Sequence, residues 1–357
     1  MEDLLVTNNS NIENGGYPMR QIISDQLAQD LFFINYASLG QAINIFGILT
    51  NILNILIFIR LGFKDTVNIS LFGLTVSDLC SLVTLFFFNI CQTPAFYNLE
   101  LSFEPYDLSF ITVGWAHVGF TRVTCCLTAF ITLERCLCIA LPLKVKTILD
   151  PRRTRLIVVA TFPIAYASVF PIYCTASLTE QFSLHRNRTL IVMTYNDLRD
   201  VMESVSSVVN NIIPVSSFII IVVCTTIIVV QLNLKSKWRR SAAAYPTGTA
   251  NPTTSGKDKK VEKMVLFISV IFIVCYLPCE ILFVWMLFDL ELRYDGDQSN
   301  LFKVSVSILY FAETLNASAN IFVYYSMSSR YKQELQKVLT LKRESKATIW
   351  KGGKLSC

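Results

Sequence analysis

Residues 130–144, FITLERCLCIALPLK, close a long apolar run on an adjacent Glu134-Arg135 pair, then a Cys-x-Cys, then Pro142-Leu143. Opposite charges at the edge of so apolar a segment fit a metal site, a buried structural ion pair, or the inner end of a membrane switch. Two thiols at i and i+2 splay apart on a helix and no His lies nearby, which disfavours the metal. The remaining choice turns on what surrounds the stretch.

The chain of 357 residues is 53% hydrophobic and 16% charged, where a soluble domain carries about 25% charged residues. That balance belongs to a membrane protein. A spanning helix takes roughly 20 mostly apolar residues, and seven segments qualify: 36–60, 66–91, 111–138, 154–174, 204–233, 264–289 and 301–326. The expected fold is an all-α seven-transmembrane helix bundle over 36–326, with 1–35 as an extracellular N-terminus and 327–357 as a cytoplasmic helix and tail. After the seventh segment, SSRYKQELQKVLTLK sets Tyr331, Leu335, Val338 and Leu339 on one helical face and Lys332, Gln333, Gln336 and Lys337 elsewhere. This pattern predicts a short amphipathic eighth helix lying on membrane lipid at the inner leaflet. Residues 1–30 lack the apolar stretch of a signal peptide, so the first span is expected to act as its own insertion signal.

Charge sets the orientation. Segments 60–65, 135–155, 235–263 and 330–354 hold 24 of the 31 Lys and Arg, and all four fall on one side of a seven-span topology. Positive residues stay cytoplasmic, which predicts a plasma-membrane protein with its N-terminus outside and its C-terminus inside. Sixteen of the 26 Asp and Glu fall on the other side. An acidic mouth of that kind concentrates cations and basic ligands, although outer loops that merely avoid Lys and Arg give the same pattern. Of eleven cysteines, only Cys91 and Cys174 lie near the outer face, where oxidation is permitted. Asn8 and Asn187 open glycosylation sequons on that face.

With the topology in hand, ERCLCIALPL resembles the Asp-Arg-Tyr signature of rhodopsin-like (class A) G-protein-coupled receptors, Cys136 standing where that family has Tyr. Further spans match in order. Asn51 sits in GILTNILN and Asp78 in LTVSDL; Pro214 falls in the fifth span. FIVCYLP, from Phe272 to Pro278, is similar to the sixth-span Phe-x-x-Cys-Trp-x-Pro with Tyr276 for Trp, and NASANIFVY retains Asn320 and Tyr324 of Asn-Pro-x-x-Tyr with Ile321 for Pro. The resemblance implies that Arg135 is held by Glu134 at rest and released to meet a heterotrimeric G protein, with Pro142, Leu143 and the terminal helix in the docking surface. Asp258, just below the sixth span, is placed either to bridge to Arg135 as an inner lock or to be a solvated helix end. It also implies that Asp78, Thr124, Asn316 and Asn320 ring a pocket for Na+ and water. A hydrogen-bonded structural cluster without sodium is the alternative. No other cofactor is implied. The family's outer disulfide has no counterpart, because Phe110 takes one position and 175–203 contains no Cys. Cys91 and Cys174 are candidates for a different bridge.

Ionisable groups inside spans are candidates for function. The outer half of the bundle offers His117 and Arg122 on span three, Glu280 on span six and Glu313 on span seven. His117 and Thr121 share a helical face. Arg122 is expected either to pair with Glu280 structurally or to bind a ligand carboxylate or carbonyl, and a free Glu280 or Glu313 would take a cationic group. Tyr276, Trp285 and Tyr310 are candidate aromatic walls, Trp285 being equally suited to the interface belt. His117 occupies the amine-receptor Asp position, which disfavours an amine receptor. Acidic mouth and carboxylates together favour a peptide ligand with a basic residue; strings such as LNASANIFVYYSMSSRY also resemble invertebrate peptide and orphan chemosensory receptors, which keeps small molecules open. A transporter or channel would call for repeats or pore-lining charge through the full depth. An enzyme is not expected, since H-E-x-x-H, G-x-S-x-G and P-loop patterns are missing. Nucleic-acid binding is not expected either, because the basic residues flank spans.

Overall fold

The computed structural model describes residues 22–97, 99–141, 145, 148–183, 187–243, 256–288, 292 and 298–352. Among them, seven helices are long and apolar enough to cross a membrane. Span one is Leu39–Leu61, preceded by a helix at Asp25–Phe32 and a π-helical turn at Phe33–Ala37; span two is Thr66–Cys91. Span three, Trp115–Ala140, is likewise led in by Pro105–Ser109 and a π-helical turn at Phe110–Gly114. Spans four to seven are Pro151–Tyr173, Arg199–Ala243, Gly256–Phe288 and Ser299–Met327, and an eighth helix runs from Ser329 to Gly352. The expected segments are all present. Spans five and six continue well past the apolar core into polar sequence at the end that carries Arg135.

Local chemistry sets the boundaries. Gly62 ends span one at φ 76, a backbone region that glycine enters without steric cost. Asp65 caps span two by accepting from the Val67 amide at 3.3 Å. Asp150 caps span four by accepting from the Arg152 and Arg153 amides, each at 2.8 Å, ahead of Pro151 at the first helical position. The Arg153 backbone N–H is the main reason the Asp150 carboxyl sits below the usual carboxylate range. Pro163 and Pro171 in span four, Pro214 in span five and Pro278 in span six lie inside helices, as neighbouring helices in a membrane permit.

Lipid supplies little hydrophobic drive between helices, so close packing and polar contacts hold such a bundle together. Span three is the central strut and packs on two, four, five and six. Span one meets span seven through Asn51, whose Nδ2 donates to the Gly47 and Ala317 carbonyls at 2.9 Å each. Where these helices cross, a methyl on Gly47 would stand 2.2 Å from Ser318 Oγ. The eighth helix turns under the bundle. Tyr331 and Leu335 are buried, the Tyr331 hydroxyl donates to Asn54 Oδ1, and Lys332 lies over the Tyr325 ring. Leu339, expected on the same face, is exposed because the bundle ends before reaching it.

The far end carries a two-stranded antiparallel hairpin, β1 (Ala176–Ser183) and β2 (Arg188–Tyr195). Its turn includes Asn187 at φ 48, a region Asn tolerates better than most residues. Three hydrogen bonds of 2.9 Å join β2 to the lead-in of span three: Glu104 N to Ile191 O, Ile191 N to Ser102 O, and Met193 N to Asp107 Oδ2. Cys91 and Cys174 are both free thiols. This corrects the proposed bridge: Cys91 ends span two half-buried while Cys174, past the end of span four, is exposed. Hydrogen bonds, not a disulfide, tie this face together.

Candidate functional site

Three polar centres lie along the bundle. Nearest the hairpin end is a cluster of ionisable side chains from three helices, each less than a tenth exposed: His117 and Arg122 on span three, Glu280 on span six and Glu313 on span seven. His117 Nε2 donates to Glu313 Oε2 at 2.9 Å, and its Nδ1 meets Ser81 Oγ at 3.2 Å and the Ser81 carbonyl at 3.1 Å. The imidazole also stands edge-on to the Tyr310 ring, centroids 5.0 Å apart. Spans two, three and seven are therefore joined through one imidazole. Arg122 acts electrostatically on Glu280, and Glu280 Oε2 is buried with no hydrogen-bond partner among the described residues. Thr121 is buried beside them, its hydroxyl donating to the Val118 carbonyl at 2.9 Å. Tyr276 is buried and stacks on Phe272 at 4.2 Å, flooring the cluster. Trp285 is the exception. It is 48% exposed on the outside of the bundle, because helical phase turns position 285 away from the face that carries Glu280.

The central group is built on Asp78. Thr124 Oγ1 donates to its Oδ1 at 2.9 Å and Asn320 Nδ2 to its Oδ2 at 2.8 Å, tying spans two, three and seven. Ser77, unremarked in the sequence, lies 3.1 Å from Thr124 Oγ1 and donates to the Phe120 carbonyl. Asn316 is buried nearby, but its side chain makes no described hydrogen bond to Asp78. Ser77, Asp78 and Ser81 share one helical face, which was the signal that would have found the two serines.

At the opposite end, Arg135 Nη2 donates to Glu134 Oε1 at 2.6 Å, and Thr66 Oγ1 donates to the same oxygen at 2.5 Å. Glu134 is buried and the Arg135 side chain is partly exposed. Thr132 and Ser269 hydroxyls meet at 2.8 Å, joining spans three and six one turn away. Tyr324 is buried against Phe58 and Tyr331, with ring centroids 5.3 and 5.6 Å away. Pro214 is buried within span five, and Pro278 lies inside span six beside Cys279 and Glu280. Asn8, Pro142, Leu143 and the Asp258 side chain lie outside the described residues.

Seven membrane helices, an eighth along one end, a charge pair closing span three and a hydrogen-bonded carboxylate at mid-depth define a rhodopsin-like G-protein-coupled receptor. The serpentine-type seven-transmembrane chemoreceptor family Srw matches residues 38–342, and the chain belongs to that family. It is also similar to growth hormone secretagogue receptor type 1 of Sus scrofa, 25% identical over 312 residues that cover 84% of this chain and 78% of that receptor. The same receptor of Mustela putorius furo is 25% identical over 314 residues, with 84% and 78% covered.

Proposed function

We propose that this receptor binds an extracellular peptide with a basic residue and activates a heterotrimeric G protein. The observation behind coupling is the Arg135 guanidinium held by the buried Glu134 carboxylate at the edge of the bundle. Such a pair is a latch that a partner can open by offering Arg135 better acceptors. The chain sits in the plasma membrane with its hairpin end outside, following the distribution of basic residues. Asn187, exposed in the hairpin turn, and Asn8 are the glycosylation candidates on that side. Asp258, Pro142 and Leu143 belong to the inner docking surface, and Pro214, Phe272, Tyr276, Pro278 and Tyr324 to the switch that reaches it.

The ligand enters over the His117–Glu313 pair. Glu280 offers a buried carboxylate oxygen to a cationic group, Arg122 and Thr121 stand beside it, and Tyr310 supplies an aromatic wall. Asp78 with the hydroxyl and amide oxygens of Thr124, Asn316 and Asn320 is a hard-oxygen donor set of the kind Na+ takes. The match to a chemoreceptor family supports a second reading in which the ligand is a small diffusible molecule. Dose–response curves of G-protein activation, with amidated basic peptides and neutral small molecules side by side, separate the two. A peptide response that weakens at least tenfold in Glu280→Gln supports the first reading. A response confined to neutral small molecules transfers support to the second.

A further inference from the structure

The end of the bundle that carries Arg135 contains a cavity of about 440 Å³ between spans one, two, six and seven and the first turn of the eighth helix. That volume lies inside the range of about 300–1,000 Å³ typical of small-molecule sites. Its floor is apolar, formed by Phe58, Leu71, Met264 and Tyr331, and its rim is cationic, formed by Lys260 and Arg330. Lys260 Nζ donates to Ser329 Oγ at 2.9 Å across 69 residues of chain, so this lip joins span six to the start of the eighth helix. An ammonium carries three protons; Ser329 takes one and two remain for another acceptor. Among the described lining residues the one carboxylate is Asp65, which caps span two.

We propose that this cavity binds an anionic amphiphile, with its charged head between Lys260 and Arg330 and its hydrocarbon chain against Phe58 and Met264. Charge, shape and place agree. A neutral or cationic head would leave two cations facing the single described carboxylate of Asp65, and a head without a chain would leave the apolar floor uncovered. Free fatty acids and acidic phospholipids share this chemistry. A bound chain touches span six on one side and spans one and two on the other, so it holds span six inward. The resulting fall in G-protein activation rests on the receptor reading above; the binding itself does not.

The test uses the purified full-length receptor in phosphatidylcholine nanodiscs with a photoreactive analogue of oleic acid, the labelled residues being read by mass spectrometry. Labelling is expected on Met264 or Phe58. It should fall at least tenfold in Lys260→Glu/Arg330→Glu and in the cavity-filling Met264→Trp, and the neutral methyl ester should label no more than background. Competition by oleate assigns the site to free fatty acid, and competition by phosphatidylserine in the disc assigns it to leaflet lipid; either result supports the proposal. Labelling spread over the lipid-facing surface, equal labelling by the ester, or undiminished labelling in folded variants would overturn it. If both variants unfold, the wild-type label position and the ester comparison still decide.

Discussion

His117 carries more of the upper bundle than its size implies, since both ring nitrogens have partners and those partners lie on different helices. Glu313→Ala leaves Nε2 buried without an acceptor and is expected to destabilise the receptor by about 1–3 kcal/mol. Glu313→Gln keeps an oxygen in reach and should cost much less. Thermal unfolding in detergent distinguishes the pair, and equal losses would mean that volume alone matters there. For Asp78→Asn, the expectation is an agonist affinity that no longer changes when NaCl is replaced by choline chloride. Radioligand binding in the two salts measures it, and an undiminished difference would leave Asp78 a purely structural residue. At this scale the sequence showed which side chains were unusual but not which met. His117 and Glu313 stood out as charges inside apolar spans, whereas their contact depends on helix rotation across 196 residues of chain. Trp285 failed for the same reason, because an aromatic at an interface depth reads alike whether it faces ligand or lipid.

Elements were more legible. Each span announces itself by length and hydropathy, and the predicted 66–91 is Thr66–Cys91 in the structure. The hairpin was missed because β1, ASLTEQFS, is mostly exposed and carries little apolar alternation to mark a strand. Its attachment to span three by Asp107 then could not be foreseen. Asp107→Ala is expected to speed amide exchange at Met193 by roughly tenfold or more, the consequence of losing a charge-assisted bond worth about 1.5–3 kcal/mol. Hydrogen–deuterium exchange reads this directly, and unchanged protection would mean that the backbone pairs hold the hairpin alone. Gly47→Ala tests the crossing of spans one and seven. With Ser318 Oγ 2.2 Å from the new methyl, overpacking of about 1–3 kcal/mol is expected. The double variant with Ser318→Ala should recover part of it.

Across the whole molecule, carboxylate-rich chemistry gathers at one end and Lys and Arg at the other, with Asp78 between. The three polar centres are linked by span three, which supplies His117, Thr124 and Arg135 from one helix. A ligand that alters the first centre therefore acts on the same rigid strut that holds the third. Membrane class, span number and the end motifs were readable without coordinates because they follow from composition and local order. The ligand was not, because it depends on the shape that several helices make together. The decisive measurement is G-protein activation in cells expressing the intact receptor or Arg135→Ala at matched surface levels, challenged with the same panel of peptides and small molecules. The expected result is a ligand-dependent response in the intact receptor that is abolished in the variant while ligand binding persists. A full response in Arg135→Ala would contradict the switch assigned to Glu134-Arg135, and with it the coupling function.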